Sequence, residues 1–154
     1  MDLKNLRILF YFLSVVWLNA CTTGAINGVV FIPSPLTVSI TETDIYEWET
    51  NLVNLWELKY KEKDILKSIQ GAEIIAFDVP YLLLDKIQVR SIVWPDSKEI
   101  HLAVIGPNDY PSPVEWARLL SRHELSHLIL GYLDNIWNEE EAHRIFHKVD
   151  PSLF

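Results

Sequence analysis

The chain has 154 residues, the length of one ordinary domain, and 49% of them are hydrophobic, which argues against a disordered chain. The chain has 13 Lys and Arg side chains and 21 Asp and Glu side chains, which gives a formal net charge of −8. This acidic balance argues against a nucleic-acid partner, which requires a basic face. The single cysteine excludes an internal disulfide framework and a metal cluster built from several cysteines.

Residues 1–20 have the pattern of a signal peptide. Lys4 and Arg7 precede an apolar run over residues 8–18, which is too short to span a bilayer as a helix. The run ends in Leu18-Asn19-Ala20-Cys21, which resembles a bacterial lipobox. We therefore expect residues 1–20 to be removed; a plain secretory signal or a buried N-terminal helix are the alternatives.

The resemblance to a lipobox implies that Cys21 carries the lipid anchor of a bacterial lipoprotein. Thr22 follows the cysteine where an aspartate would favour retention in the inner membrane. The expected location is thus the cell envelope, with the anchor in the outer membrane (the inner membrane is the alternative) and the domain facing the periplasm. Residues 21–43 are rich in Pro, Gly, Ser and Thr and indicate a tether followed by an extended segment.

Residues 44–154 are predicted to form one α+β domain. Apolar spacings of three and four predict a helix over residues 45–70, capped by Asp44 and interrupted near Tyr60. The period then changes to that of short strands, which we predict over residues 72–77, 87–94 and 99–105. A four-residue turn joins the last two strands into a hairpin.

Two helices complete the predicted domain. The segment Ser112-Pro113-Val114-Glu115 is a strong helix start, and this helix is expected to end at Gly131. The second helix is expected over residues 138–149, before Pro151. The predicted order is an N-terminal helix, a three-stranded sheet and two C-terminal helices.

The first of these two helices carries His123-Glu124-Leu125-Ser126-His127. Histidines four apart lie on one helical face, so both imidazoles can reach one Zn²⁺ ion, and Glu124 beside them can act as general base on a bound water. The pattern HExxH is therefore the spacing that metal-assisted hydrolysis requires. The alternative is a surface helix whose histidines are merely solvated.

A zinc site needs a third protein ligand. If the second helix packs antiparallel to the first, a residue about one turn into it lies level with His127. Glu141 is four residues before Ile145 and would share its inward face, so we favour Glu141 as third ligand. Asp134 is the rival, and the weaker candidates are His143 and His147.

The active-helix segment His123–Leu130 looks like that of zincin metallopeptidases, and Glu139-Glu140-Glu141-Ala142 resembles the acidic segment of small ImmA/IrrE-type gluzincins. The resemblance implies a minimal zincin-like fold, zinc held by His123, His127 and Glu141, and catalysis by Glu124. It also implies that a strand near the active helix pairs with the substrate, which we assign to residues 99–105.

The leading hypothesis is a membrane-anchored zinc metallopeptidase that hydrolyses peptide or protein substrates through a metal-activated water. The alternative is a zincin-like lipoprotein without catalysis that acts as a binding module in the cell envelope. A structural envelope lipoprotein with a coincidental motif is the third and weakest hypothesis.

Overall fold

The structure, a computed structural model, describes residues 28–107, 110 and 112–151. The predicted signal peptide and Cys21 lie outside these residues. Across the described ranges the helices are α1 (Glu42–Trp56), α2 (Glu62–Ile69), α3 (Pro113–Asp134) and α4 (Glu139–Val149), with a short 3₁₀ helix at Pro35–Thr37. The strands are β1 (Val30–Ile32), β2 (Glu73–Phe77), β3 (Leu82–Leu84), β4 (Ile87–Val89), β5 (Ser91–Trp94) and β6 (Glu99–Ala103). The predicted α+β class is confirmed.

Four strands form the main sheet in the order β1-β2-β6-β5, and β3 pairs with β4 in a separate antiparallel ribbon. Strands β1, β2 and β6 run parallel, whereas β5 is antiparallel to β6. The predicted hairpin over residues 87–105 is thus present, but its first strand is divided at Arg90. Strand β6 lies inside the sheet, and the two edge strands of the main sheet are β1 and β5.

The core lies between the sheet and the helices, and α3 is its central element. Ile74 of β2 and Ile100 and Leu102 of β6 are buried in one cluster with Leu128 and Ile129 of α3. Alternate residues of each strand enter this cluster, as expected for a sheet packed on one face. Helix α3 therefore takes its position from the core.

The predicted N-terminal helix is interrupted as expected, since α1 ends at Trp56 and α2 begins at Glu62. Its cap is Thr41 rather than Asp44. The Thr41 hydroxyl accepts a hydrogen bond from the Asp44 amide, and the Thr41 amide donates to the Asp44 carboxylate at 2.7 Å. Threonine and aspartate thus form a capping box one turn earlier than predicted.

The segment predicted as a tether is folded from Val29 onward. Val29, Phe31 and Ile40 are buried, and β1 pairs with β2 in the register Phe31 to Ile74. The run of β-branched and aromatic residues is suited to a strand that is buried on one face. Its long-range partner, more than forty residues away in sequence, is not visible in local composition.

Helix α3 continues one turn beyond Gly131 and ends at Asp134, where Asn135 adopts a left-handed conformation with φ of 57°. Gly131 is therefore not the helix terminus that the sequence suggested. A Cβ atom built there would lie 2.2 Å from Cζ3 of Trp137. Glycine is required because the Trp137 ring packs directly on the helix backbone.

Gly131→Ala should therefore lower the free energy of unfolding by about 1–3 kcal/mol, because the new methyl group overlaps the Trp137 ring. In a Trp137→Ala background the same change should stabilise the protein by about 0.5–1 kcal/mol, since alanine is the better helix former. Urea unfolding of the four proteins in this cycle measures both effects. A destabilisation that persists in the Trp137→Ala background would contradict the packing explanation.

Candidate metal centre

The start of α3 is the one that the sequence predicts. The Ser112 hydroxyl accepts a hydrogen bond from the Glu115 amide at 3.1 Å, and Pro113 occupies the first turn. Further along, the buried Ser126 hydroxyl accepts a hydrogen bond from Nε1 of Trp56 at 3.0 Å. This bond to α1 fixes the rotation of α3 about its axis, because Ser126 faces the core between the two histidines of the motif.

His123 and His127 emerge one turn apart on the side of α3 that faces α4. Their Nε2 atoms are 3.2 Å apart. His143 of α4 completes the group, and one nitrogen atom from each of the three rings lies within 4.8 Å of the others. Three histidines are thus close enough together to bind a metal ion.

The donor set fits a divalent transition metal. Two nitrogens that bind one tetrahedral ion at 2.0–2.1 Å are about 3.3 Å apart, close to the separation of the His123 and His127 Nε2 atoms. Imidazole suits zinc, copper, iron and nickel, whereas magnesium and calcium prefer oxygen donors. The geometry defines a candidate site for a nitrogen-preferring metal without identifying the ion.

An aromatic side chain supports all three rings. The Phe146 ring centroid lies 5.3 Å from that of His123, 4.8 Å from that of His127 and 5.7 Å from that of His143. Phe146 is fully buried and also meets Trp56 edge to face at 6.1 Å. The histidines therefore rest on an apolar surface that belongs to the core and limits their rotation.

The surroundings keep the imidazoles in the neutral form that metals bind. Burial, together with the neighbouring rings of His123 and His143, lowers the pKa of His127 to about 3. Burial is also the main cause that lowers the pKa of His143. Protonation is thus disfavoured at neutral pH, and a metal ion does not have to displace a proton from these two rings.

Glu124 lies beside the histidines and is only 5% exposed. Its Oε1 atom accepts a hydrogen bond from the Ser91 hydroxyl of β5 at 2.5 Å. Burial raises the pKa of the Glu124 carboxyl to about 7, while the bond from Ser91 acts in the opposite direction. A carboxyl group with this pKa can both accept and donate a proton near neutral pH.

A cleft of about 200 Å³ opens onto these groups. One wall is α3 with His123, Glu124 and His127, and the start of α4 adds Glu139. The opposite wall is formed by β5 and the β3–β4 ribbon through Leu84, Val89, Ser91, Ile92 and Val93. His123, His127 and the Glu124 carboxyl group therefore share one cleft with the edge strand of the sheet, and His143 contacts both histidine rings from α4.

The structure does not bring Glu141 or Asp134 to the two histidines of the motif. Glu141 is exposed, and its amide donates to the capping side chain of Asn138 at 3.0 Å. The carboxylate of Asp134 binds Lys59 at 2.5 Å and the Tyr60 hydroxyl at 2.7 Å, and the hydrogen bond from Lys59 is the main cause that lowers its pKa. The expected third ligand is thus replaced by His143.

The inward face of α4 explains this correction. From the sequence we expected Ile145 on that face, but the fully buried residues are Ala142 and Phe146. The helix is rotated so that His143, one turn before Phe146, faces α3. Phe146, as the bulkiest apolar residue of α4, was the signal in the sequence that could have identified His143.

Comparisons of the chain with protein-family models, with curated proteins and with solved structures give no match. Within the part of the chain that the structure describes, no helix combines the length and the apolar character needed to cross a membrane. The site is therefore interpreted from its own geometry: an α+β domain in which His123, His127 and the buried Glu124 line one cleft and His143 completes the group of three histidines.

His143→Ala should remove the third nitrogen donor and reduce bound zinc from one equivalent to less than about 0.2 after dialysis against buffer, because two imidazoles hold the ion too weakly. Glu141→Ala and Asp134→Asn are the matched controls and should keep the full equivalent. Metal analysis by inductively coupled plasma mass spectrometry gives the stoichiometry. Loss of zinc from Glu141→Ala but not from His143→Ala would restore the original ligand assignment.

Proposed function

We propose that the protein is a zinc-dependent metallopeptidase of the zincin type. The observation that carries the proposal is the meeting of His123, His127 and His143. The first two line a cleft together with the buried Glu124 and the edge strand β5. Three imidazoles around one ion leave a fourth tetrahedral position for water, as in other catalytic zinc sites. Histidine donors without cysteine favour zinc in an open, catalytic role over a closed structural site.

A zinc ion held there would supply a water of lowered pKa and would polarise the carbonyl of the scissile peptide bond. Glu124 is the general base in this proposal. Its Oε1 atom is engaged by Ser91, so we assign proton uptake to Oε2. The same oxygen then delivers the proton to the nitrogen of the leaving amine, which completes the hydrolysis of the peptide bond.

The raised pKa of Glu124 supports this double use of one carboxyl group. A base with a pKa of about 7 accepts a proton more readily than an exposed carboxylate and returns it more readily than a stronger base. Burial is the cause of the raised pKa, and burial also keeps bulk water away from the carboxylate. The proposed role of general base thus follows from the position of the Glu124 side chain, which extends from α3 toward β5.

The substrate in this proposal is a peptide in extended conformation that pairs with β5. This corrects the expectation for residues 99–105, because both edges of β6 are already occupied by β2 and β5. Strand β5 has one free edge and lines the cleft through Ser91, Ile92 and Val93. Backbone pairing at a free edge is sequence-tolerant, and the apolar side chains of the cleft then select the residue next to the scissile bond.

Glu124→Gln should abolish hydrolysis, with kcat at least about 1000-fold lower, because the amide keeps the size of the side chain but cannot accept the proton. Bound zinc should stay at one equivalent. Cleavage of dye-labelled β-casein by zinc-loaded protein is the measurement. Unchanged cleavage by Glu124→Gln would exclude Glu124 as the general base and with it this proposal. Absence of cleavage by the zinc-loaded, unchanged protein would favour a domain that binds partners without hydrolysis.

We further propose that the domain is tethered to the cell envelope through Cys21 as a bacterial lipoprotein. The support comes from the sequence, in which charged residues, an apolar run and a lipobox-like motif precede the domain. Strand β1 begins at Val30, so about eight residues of sequence separate the proposed anchor at Cys21 from the sheet. A fully extended tether of that length spans at most about 30 Å, so the sheet would stay within about 30 Å of the membrane surface.

Cys21→Ser should prevent lipidation and move the full-length protein from the membrane pellet to the soluble fraction of a Gram-negative host. Incorporation of radiolabelled palmitate should be lost in parallel, because the thiol is the site of acylation. Ser14→Ala, within the apolar run, is a control that should leave both readouts unchanged. Palmitate labelling that is equal in Cys21→Ser and in the unchanged protein would exclude the anchor.

A further inference from the structure

The geometry points to Ser91 as a positioning residue that fixes the general base from the very strand on which the peptide substrate docks. This inference rests on the proposed function and adds a residue outside the HExxH motif. Ser91 is the first residue of β5 and lines the cleft together with Glu124. Three observations support the assignment: the direction of its side chain, the direction of its backbone and the chemistry of its bond.

The side chain of Ser91 lies on the face of the sheet that carries the helices. In the β5–β6 ladder Ser91 pairs with Leu102 and Val93 pairs with Ile100, both of which are fully buried on that face. Residues that lie opposite each other across a ladder point to the same face. The hydroxyl is therefore directed at α3 by the register of the sheet, and it reaches Oε1 of Glu124 at 2.5 Å.

The backbone of Ser91 faces the cleft. The Ala103 amide donates to the Arg90 carbonyl at 2.8 Å, so Arg90 makes the ladder bonds to β6. Hydrogen-bonded and non-hydrogen-bonded pairs alternate along an antiparallel ladder. The amide and carbonyl groups of Ser91 and Val93 consequently point away from β6, toward the free edge where an extended peptide would pair.

The bond from Ser91 restrains the Glu124 carboxylate from outside its own helix. A hydrogen bond to a charged acceptor is short and strong. At a buried position its removal leaves the acceptor without a partner and costs the full desolvation energy of that group. A carboxylate without it can rotate about its side-chain torsions, so that Oε2 spends less time facing the water that it must deprotonate. Because Ser91 is held by the sheet, a peptide that pairs with β5 also reinforces the residue that orients the base.

Loss of the Ser91 hydroxyl should therefore lower kcat and leave KM within about twofold, since the backbone edge that binds the peptide is unchanged. On dye-labelled β-casein with zinc-loaded protein, Ser91→Ala should show an apparent kcat about 10- to 100-fold lower, and Ser91→Thr should recover most of it. Ser97→Ala, in the turn after β5, is the matched control and should behave as the unchanged protein. Zinc stoichiometry should be equal in all four proteins. Ser91→Ala should stay folded, with a melting temperature a few degrees lower because a buried hydrogen bond is lost.

A second readout does not depend on turnover. Acetohydroxamate chelates zinc and places its hydroxyl group against the neighbouring base, so its affinity reports the orientation of Glu124. Calorimetry should show about tenfold weaker binding of acetohydroxamate to zinc-loaded Ser91→Ala, with recovery in Ser91→Thr. Loss of zinc or of folding in Ser91→Ala, a rise in KM alone, or unchanged kcat and hydroxamate affinity would each overturn the positioning role.

The outcomes also separate this inference from the proposed function. If Glu124→Gln is inactive while Ser91→Ala is fully active and binds acetohydroxamate normally, the peptidase stands and only the role of Ser91 is refuted. If Glu124→Gln is as active as the unchanged protein, Glu124 is not the base and both proposals are refuted together.

Discussion

The site depends on one constraint: α3 must be held by the core on most of its circumference and still leave two histidines on its remaining face. Leu125, Leu128 and Ile129 are buried among sheet and helix side chains. The hydrogen bond between Ser126 and Trp56 adds a directional contact that hydrophobic packing alone does not provide. Because a helix fixed in rotation also fixes residues one turn apart, the separation of the two imidazoles follows from core packing rather than from contacts between the histidines.

The same packing determines the electrostatics of the cleft. Burial disfavours charge of either sign, so it lowers the pKa of His127 and raises that of Glu124. Neutral imidazoles and a carboxyl group that titrates near pH 7 are the protonation states required for metal binding and for proton transfer. The hydrogen bond from Ser91 favours the charged form of Glu124 and moderates the effect of burial, which keeps the group usable as a base.

Local signals predicted the parts of the structure that local interactions determine. The cap at Ser112, the break between α1 and α2 and the spacing of His123 and His127 all follow from residues close together in sequence. Strand β1 was missed because its stability comes from pairing with β2, and β6 was assigned to the edge because the parallel pairing of β2 with β6 skips the strands between them. Helix α4 was placed at the correct level beside α3, but its face depended on which apolar residue the core would accept, and that residue is Phe146.

The replacement of a carboxylate by His143 changes the chemistry expected of the site. A glutamate ligand would bring a negative charge next to a dication and weaken its pull on a bound water and on a substrate carbonyl, whereas three imidazoles leave the charge of the ion undiminished. The acidic groups that remain nearby are Glu124, which is buried, and Glu139, whose side chain is 81% exposed at the mouth of the cleft. The Oε1 atom of Glu139 lies 4.0 Å from Nε2 of His143. Some negative charge thus stays beside the candidate ligands, and in the proposed peptidase Glu124 is the buried carboxyl group that moves the proton. The proposed role of Glu124 requires that its side chain be held in one orientation. Within the described structure, β5 is the only strand of the cleft wall that forms a side-chain hydrogen bond with Glu124, through Ser91.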